Sequence, residues 1–178
     1  MDALYKAIIA LLQSLFPTDY ASYTNTSGNT IVPIFRGYDN KMVPPTGNNY
    51  VVLTSVVDSN MSLGFLPVYN STTQQNTYYG IMSTLFFIDM YGNNAENNSR
   101  VFNAICQNGY ANTYWDLNSH HCSVHSARSP RNLTEDFGRE MYNKRFLVEL
   151  EIFNNVSQVI PIPNFNTVDF TLYLANKQ

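Results

Sequence analysis

Residues able to ligate a metal or carry a proton crowd into one short stretch: His120, His121, Cys122 and His125. Imidazole and thiolate suit zinc, and His121 with His125 would share a face if the stretch were helical. The run H-H-C-S-V-H, however, has none of the spacings of structural zinc sites, and no Glu stands where a zinc hydrolase needs its base. The second cysteine, Cys106, lies well upstream in a helix-like segment. The plainer reading is a polar loop with surface histidines, so no metal and no cofactor is expected. Nucleophilic and phosphate chemistry fare no better. The chain has no G-x-S-x-G, no P-loop and no G-x-G-x-x-G. Asp89 ends an apolar run. Glu135 and Asp136 are adjacent, and adjacent residues of a strand point apart. The aromatic residues lack the interleaved Lys and Arg of a base-stacking platform. The residues therefore predict a protein that is not an enzyme.

Arg36 is a different kind of candidate. It closes an apolar stretch, just before Gly37, Tyr38, Asp39 and Asn40. A lone Arg there either snorkels to solvent at a sheet edge or meets a partner; the sequence leaves both open.

Composition points to contacts between subunits. Charged residues make up 13% of the 178, where soluble domains have about 25%. Asn, Thr, Ser and Tyr take their place. Interface cores are depleted in charge and enriched in aromatics, so an oligomer is expected. Net charge is −3 and no basic run occurs, which argues against sequence-specific DNA binding. A weakly acidic surface lacks the phosphate contacts that would hold DNA.

The opening stretch MDALYKAIIALLQSLFP does not read as a signal peptide. Gln13 and Ser14 interrupt it, Lys6 is its one basic residue, and no A-x-A site follows. It is also too short and polar to span a membrane. Asn25, Asn60, Asn70, Asn97, Asn132 and Asn155 begin N-x-[ST] sequons, read as chance matches in an Asn-rich chain. Cys106 and Cys122 are read as free thiols in a reducing compartment.

The elements that would position these residues follow from periodicity. Leu4, Ile8, Leu11, Leu12 and Leu15 repeat at helical spacing from a cap at Asp2, until Pro17 stops the helix. Residues 31–40 read as a strand near an edge or with a bulge, because Pro33 cannot donate to a ladder. Residues 50–59 read as a central strand, joined to the first by a proline turn as a hairpin-like pair. A short strand at 65–69 precedes a second central strand at 78–92. A helix at 93–108 follows, with Asn94 as cap and Gly109 as stop. Residues 110–141 carry little pattern and read as a long loop excursion. Residues 144–153 alternate as a strand, 156–163 read as its neighbour, and 168–176 alternate as strand or short helix. The prediction is one α+β domain over 1–178: a mixed, mainly antiparallel sheet with helices packed on one face.

The ordered pattern resembles the phage neck and tail-terminator proteins. Arg36, Gly37 and Asn40 are followed by a turn with Pro44, Pro45 and Gly47, then by the apolar strand at 50–57. A long strand ends in Asp89, Tyr91 and Gly92 and runs into a helix, and a further apolar strand spans 146–153. The likeness covers about three quarters of the chain, and it is weakest over 110–141. It implies a tail-terminator-like fold and a structural virion subunit, made in the bacterial host cytoplasm. It also implies a hexameric ring that caps the head-proximal end of the tail tube. The implied partners are other copies of the chain, the tail tube protein and the head–tail connector or a head completion protein. The expected contact residues are Arg36, Tyr38, Asn40 and Lys41 on the hairpin, with Trp115, His120, Arg128 and Arg131 on the excursion. The alternatives are another minor tail or head-completion protein, a host-directed binding module, and a metal-dependent enzyme using the His/Cys cluster.

Overall fold

A computed structural model describes residues 2–24, 28, 30–37, 49–60, 66–73, 75–136 and 142–161. Helix α1 spans Asp2–Leu15 and buries Leu4, Tyr5, Ala7, Ile8, Leu11 and Leu12, the stripe that the spacing predicts. Two short strands follow, β1 (Tyr23–Thr24) and β2 (Thr30–Ile31), paired only with each other. The main sheet then builds from β3 (Ile34–Arg36), β4 (Tyr50–Asn60), β5 (Leu66–Asn70) and β6 (Gln75–Tyr91). Helices α2 (Ala95–Gln107) and α3 (Tyr110–Leu117) intervene. The sheet resumes with β7 (Cys122–Ala127) and β8 (Arg131–Asn132). After the small pair β9 (Glu135–Asp136) and β10 (Tyr142–Asn143), it ends with β11 (Arg145–Pro161).

The strand order is β3-β4-β6-β11-β7, with β5 also on β6 and β8 also on β11. β4 and β6 are interior strands, as their apolar runs predict. Every pair in the main sheet is antiparallel except β3 with β4. That exception corrects the expected hairpin. Ile34 pairs with Val51 in parallel register, and the Val51 N–H donates to the Pro33 carbonyl at 2.9 Å. Pro33 thus contributes the acceptor it still has. The connection from Arg36 to Tyr50 is long enough to carry the chain back to the same end of the sheet, which a parallel pair requires.

Two further expectations change. Residues 156–161 do not form a separate neighbour, because β11 continues unbroken through Asn155 to Pro161 and pairs with β6 along its whole length, and residues 162–163 lie outside the described residues. The stretch after 110 is not a loop excursion, since α3, β7, β8 and β9 occupy it. Its pattern is faint because each element is short and buries few side chains, Ala111 and Trp115 in α3. Residues 38–40, 41–48 and 168–176, on which other expectations fall, lie outside the described residues.

The core lies on one side of the sheet. Val51 and Leu53 of β4, Phe86, Ile88 and Met90 of β6, and Phe146, Val148, Leu150 and Ile152 of β11 form one cluster with side chains of all three helices. Tyr5 meets Phe86 edge-on at 5.2 Å, and its hydroxyl donates to the Ser55 Oγ at 3.2 Å. Trp115 is fully buried and donates from Nε1 to the Ala7 carbonyl at 3.0 Å, tying α3 to α1. The Asp19 carboxylate accepts from the side-chain amides of Asn49, Asn94 and Asn98 at 2.8–2.9 Å. It sits against the first turn of α2, where a negative charge is favoured. Asn94 therefore stands just before the helix as expected, but its side chain serves Asp19 and makes no cap bond. Gly109, with φ of 82°, ends α2 and starts α3 in a conformation that favours glycine.

Candidate assembly surface

Side chains alternate across a sheet, so the residues between the core positions project from the other face. There β6 presents Ser83, Leu85, Phe87 and Asp89, paired in register with Phe153, Glu151, Glu149 and Leu147 of β11. β4 adds Thr54 beside Phe87 and Val52 beside Asp89. Among the described residues, no helix packs on this face, since all three contribute to the cluster on the opposite side.

The face carries a belt of charge. Arg128 donates to Glu149 at 2.9 Å, and Arg131 donates to the other oxygen of the same carboxylate. The two arginine side chains are 78% and 58% exposed, whereas that of Glu149 is 10% exposed. Arg145 pairs with Asp89 at 2.9 Å. Glu151 accepts from Ser83 at 2.5 Å and from Ser126 at 3.2 Å. Three cations and three carboxylates balance among these described residues.

Beyond the belt, the sheet narrows into an arm. The last residue of β4 pairs with Met82 of β6, and the first residue of β7 pairs with Asn154 of β11. From Ile81↔Asn155 to Gln75↔Pro161, β6 and β11 continue alone with β5. At a rise of about 3.3 Å per residue, this arm projects about 20 Å. It contains no Asp, Glu, Lys or Arg. Val68, Tyr79, Ile81 and Val159 lie on the same face as the belt by register, and are 46–54% exposed. Tyr69, on the arm's other face, is 58% exposed. Single exposed apolar residues are ordinary, but an uncharged strip of them marks a surface that another protein covers.

The structure splits the expected contact residues into groups. Arg128 and Arg131 converge on Glu149 on the helix-free face. Arg36 lies on the helix side, where its guanidinium stacks 4.4 Å above the Tyr5 ring and bonds Asp2 at 2.8 Å. That pairing holds the Asp2 carboxyl below its ordinary range. His120 also lies near the start of α1, around a cavity of about 220 Å³ shared with Ala3, Leu4 and Asn154. Trp115 is a core residue with no exposed surface, which removes it from the contact set. The sequence gave no hint of its burial, because α3 is too short to show a stripe. Tyr38, Asn40 and Lys41 lie outside the described residues. Glu149 and the arm residues were not singled out by sequence, and Asp89 was read only as the end of a strand, although the alternation at 146–151 already placed both glutamates on one strand face.

The His/Cys cluster is split: His120, His121 and Cys122 line that same cavity, and His125 does not join them. Cys122 faces the core, while His125 stacks on Phe153 at 4.2 Å on the other face of the sheet. Burial pushes the Cys122 thiol up to about 12, with Asp116 adding to the effect, and burial does the same to Cys106. A protonated thiol is a poor metal ligand and nucleophile. Among the described residues, no three of His, Cys, Asp and Glu come together as a metal site. Among the same residues, no helix is long and apolar enough to cross a membrane.

No curated protein matches the chain. A family match, in contrast, covers residues 2–176, nearly the whole sequence. With its mixed sheet and its helices packed on one side of it, the chain belongs to the phage neck terminator protein family, a family of structural phage proteins.

Proposed function

We propose that this chain forms a ring, six copies by the family resemblance, that caps the head-proximal end of the tail tube and joins it to the head connector. The observation that carries this reading is the charge-free arm continuous with the helix-free face. Such a surface suits burial against copies of the chain and neighbouring virion proteins. A tube grows by repeating one head-to-tail contact, and a ring that matches the tube on one side and differs on the other ends the series. The helix side and the sheet side of this subunit are chemically unlike, which supplies that asymmetry. The ring lets DNA pass without reading its sequence. The chain would be made in the host cytoplasm and reside in the virion neck.

The test is a variant with Val68→Ser, Tyr79→Ser and Ile81→Ser together. All three sit on the arm, away from the core cluster, so the fold persists. Self-association of the purified protein, read by light scattering, and incorporation into particles should both fall. Unchanged assembly on both measures overturns the reading.

A further inference from the structure

The outer edge of β11 sets one part of the arm apart. Its upper half is covered by β7 at residues 150–154 and by β8 at residues 146–147. Among the described residues, Asn155–Pro161 has β6 on one side and no strand on the other. Other edges of the sheet are blunted. β3 has three residues and ends in Arg36. β5 is short and contains Pro67. On β7, the Val124 N–H donates to Asn112 Oδ1 at 2.7 Å, and the Ala127 carbonyl accepts from Gln107 at 3.1 Å. Short strands, charges, prolines and side-chain covers are the usual defences against edge-to-edge pairing. The run N-N-V-S-Q-V-I that precedes Pro161 has no charge and no internal proline.

We infer that this edge accepts a strand from a second copy of the chain, extending the arm's sheet from one subunit into the next. The inference rests on the self-assembly proposed above and assigns it a surface. Backbone pairing supplies directional hydrogen bonds, and side chains on the shared face supply fit. The occupant is another copy because the strip beside this edge, with Val159, Tyr79 and Ile81, demands an uncharged and apolar neighbour. The arm of a second copy, free of charged side chains, offers that chemistry. A charged segment placed there would lose its hydration without gaining a counter-charge.

Hydrogen–deuterium exchange of the full-length protein tests this, comparing dilute monomer with the self-assembled form. In an antiparallel edge, only alternate N–H groups point outward. Alternate amides between 155 and 160 should exchange at least about ten-fold more slowly after assembly, as new backbone bonds protect them. Val159→Lys, a charge on the edge strand, should raise the concentration needed for self-association at least about ten-fold, with an unchanged circular dichroism spectrum. Edge amides that stay fast in the assembled form overturn the inference but leave ring formation standing. Edge amides already slow in dilute monomer overturn it in favour of the chain's own closing segment. Protection that arises only in particles, with no self-association of purified protein, overturns it in favour of another virion protein. Absence of the protein from particles defeats the neck reading itself.

Discussion

Arg128 and Glu149 form an ion pair at 2.9 Å in which the acid is nearly buried and the base lies in solvent. Arg131 completes the clamp from the same side. The geometry means that the carboxylate depends on the arginines more than they depend on it. An exposed guanidinium that loses its partner regains water, whereas a buried carboxylate that loses its donors does not. Charge on this face is thus fixed by pairing before any partner arrives.

Removing both arginines should therefore be more harmful than removing the acid. Arg128→Ala with Arg131→Ala should destabilise the fold by about 1–3 kcal/mol, the expected effect of stranding a buried polar group. Glu149→Gln keeps the shape and removes the charge, and should be milder. Urea unfolding of the two variants checks the order, and a reversed order would show that the carboxylate is solvated by other means.

Arg36 should contribute little to stability and something to assembly. Its pair with Asp2 is exposed, and exposed pairs contribute little because solvent screens them. Arg36→Glu should leave the monomer folded and impair ring or neck assembly; normal assembly would remove Arg36 from the contact. The same pair sets a pH response. The Asp2 carboxyl is held low by Arg36, chiefly through their hydrogen bond and then through charge. Its contribution is therefore present above the ordinary carboxylate range and is lost as pH falls through the depressed value. In Arg36→Ala, titration of Asp2 followed by NMR should return toward 3.8.

Trp115 should behave as a core residue throughout. It is the one tryptophan of the chain, and its indole is sealed between α3 and α1. Trp115→Phe removes the hydrogen bond to Ala7 and some volume, and should destabilise by about 1–3 kcal/mol. Its fluorescence should be that of a buried indole in the monomer and stay unchanged on assembly. A spectral shift on assembly would place it at a contact after all.

Gly92 should tolerate no side chain. It turns the chain from β6 into α2 with φ of 108°, and an added Cβ would lie 2.9 Å from the Asn49 Cα. Gly92→Ala combines left-handed strain with a backbone clash, and should lose about 1–3 kcal/mol or more. Asn49 also donates to Asp19, so thermal unfolding should show the α2 attachment weakened along with the turn.

Sequence alone determined the local grammar of this protein. The stripe of α1, the apolar runs of β4 and β6, the alternation at the start of β11 and the shortage of charge are all properties of neighbouring residues, and each is legible in a short window. What the window cannot hold is the identity of a strand's partner. Pro33 revealed that β3 would be irregular but not that it runs parallel to β4. Glu149, Arg128 and Arg131 are ordinary charges until the β7–β11 connection brings them together. The separate strand expected at 156–163 became the arm because β6 runs far enough to pair with it. Trp115 looked like a contact residue until α1 closed over it. Pairing, burial and the placing of all three helices on one side of the sheet arise from contacts between residues far apart in the chain. Tertiary structure therefore decided which of the predicted elements carry the candidate surface.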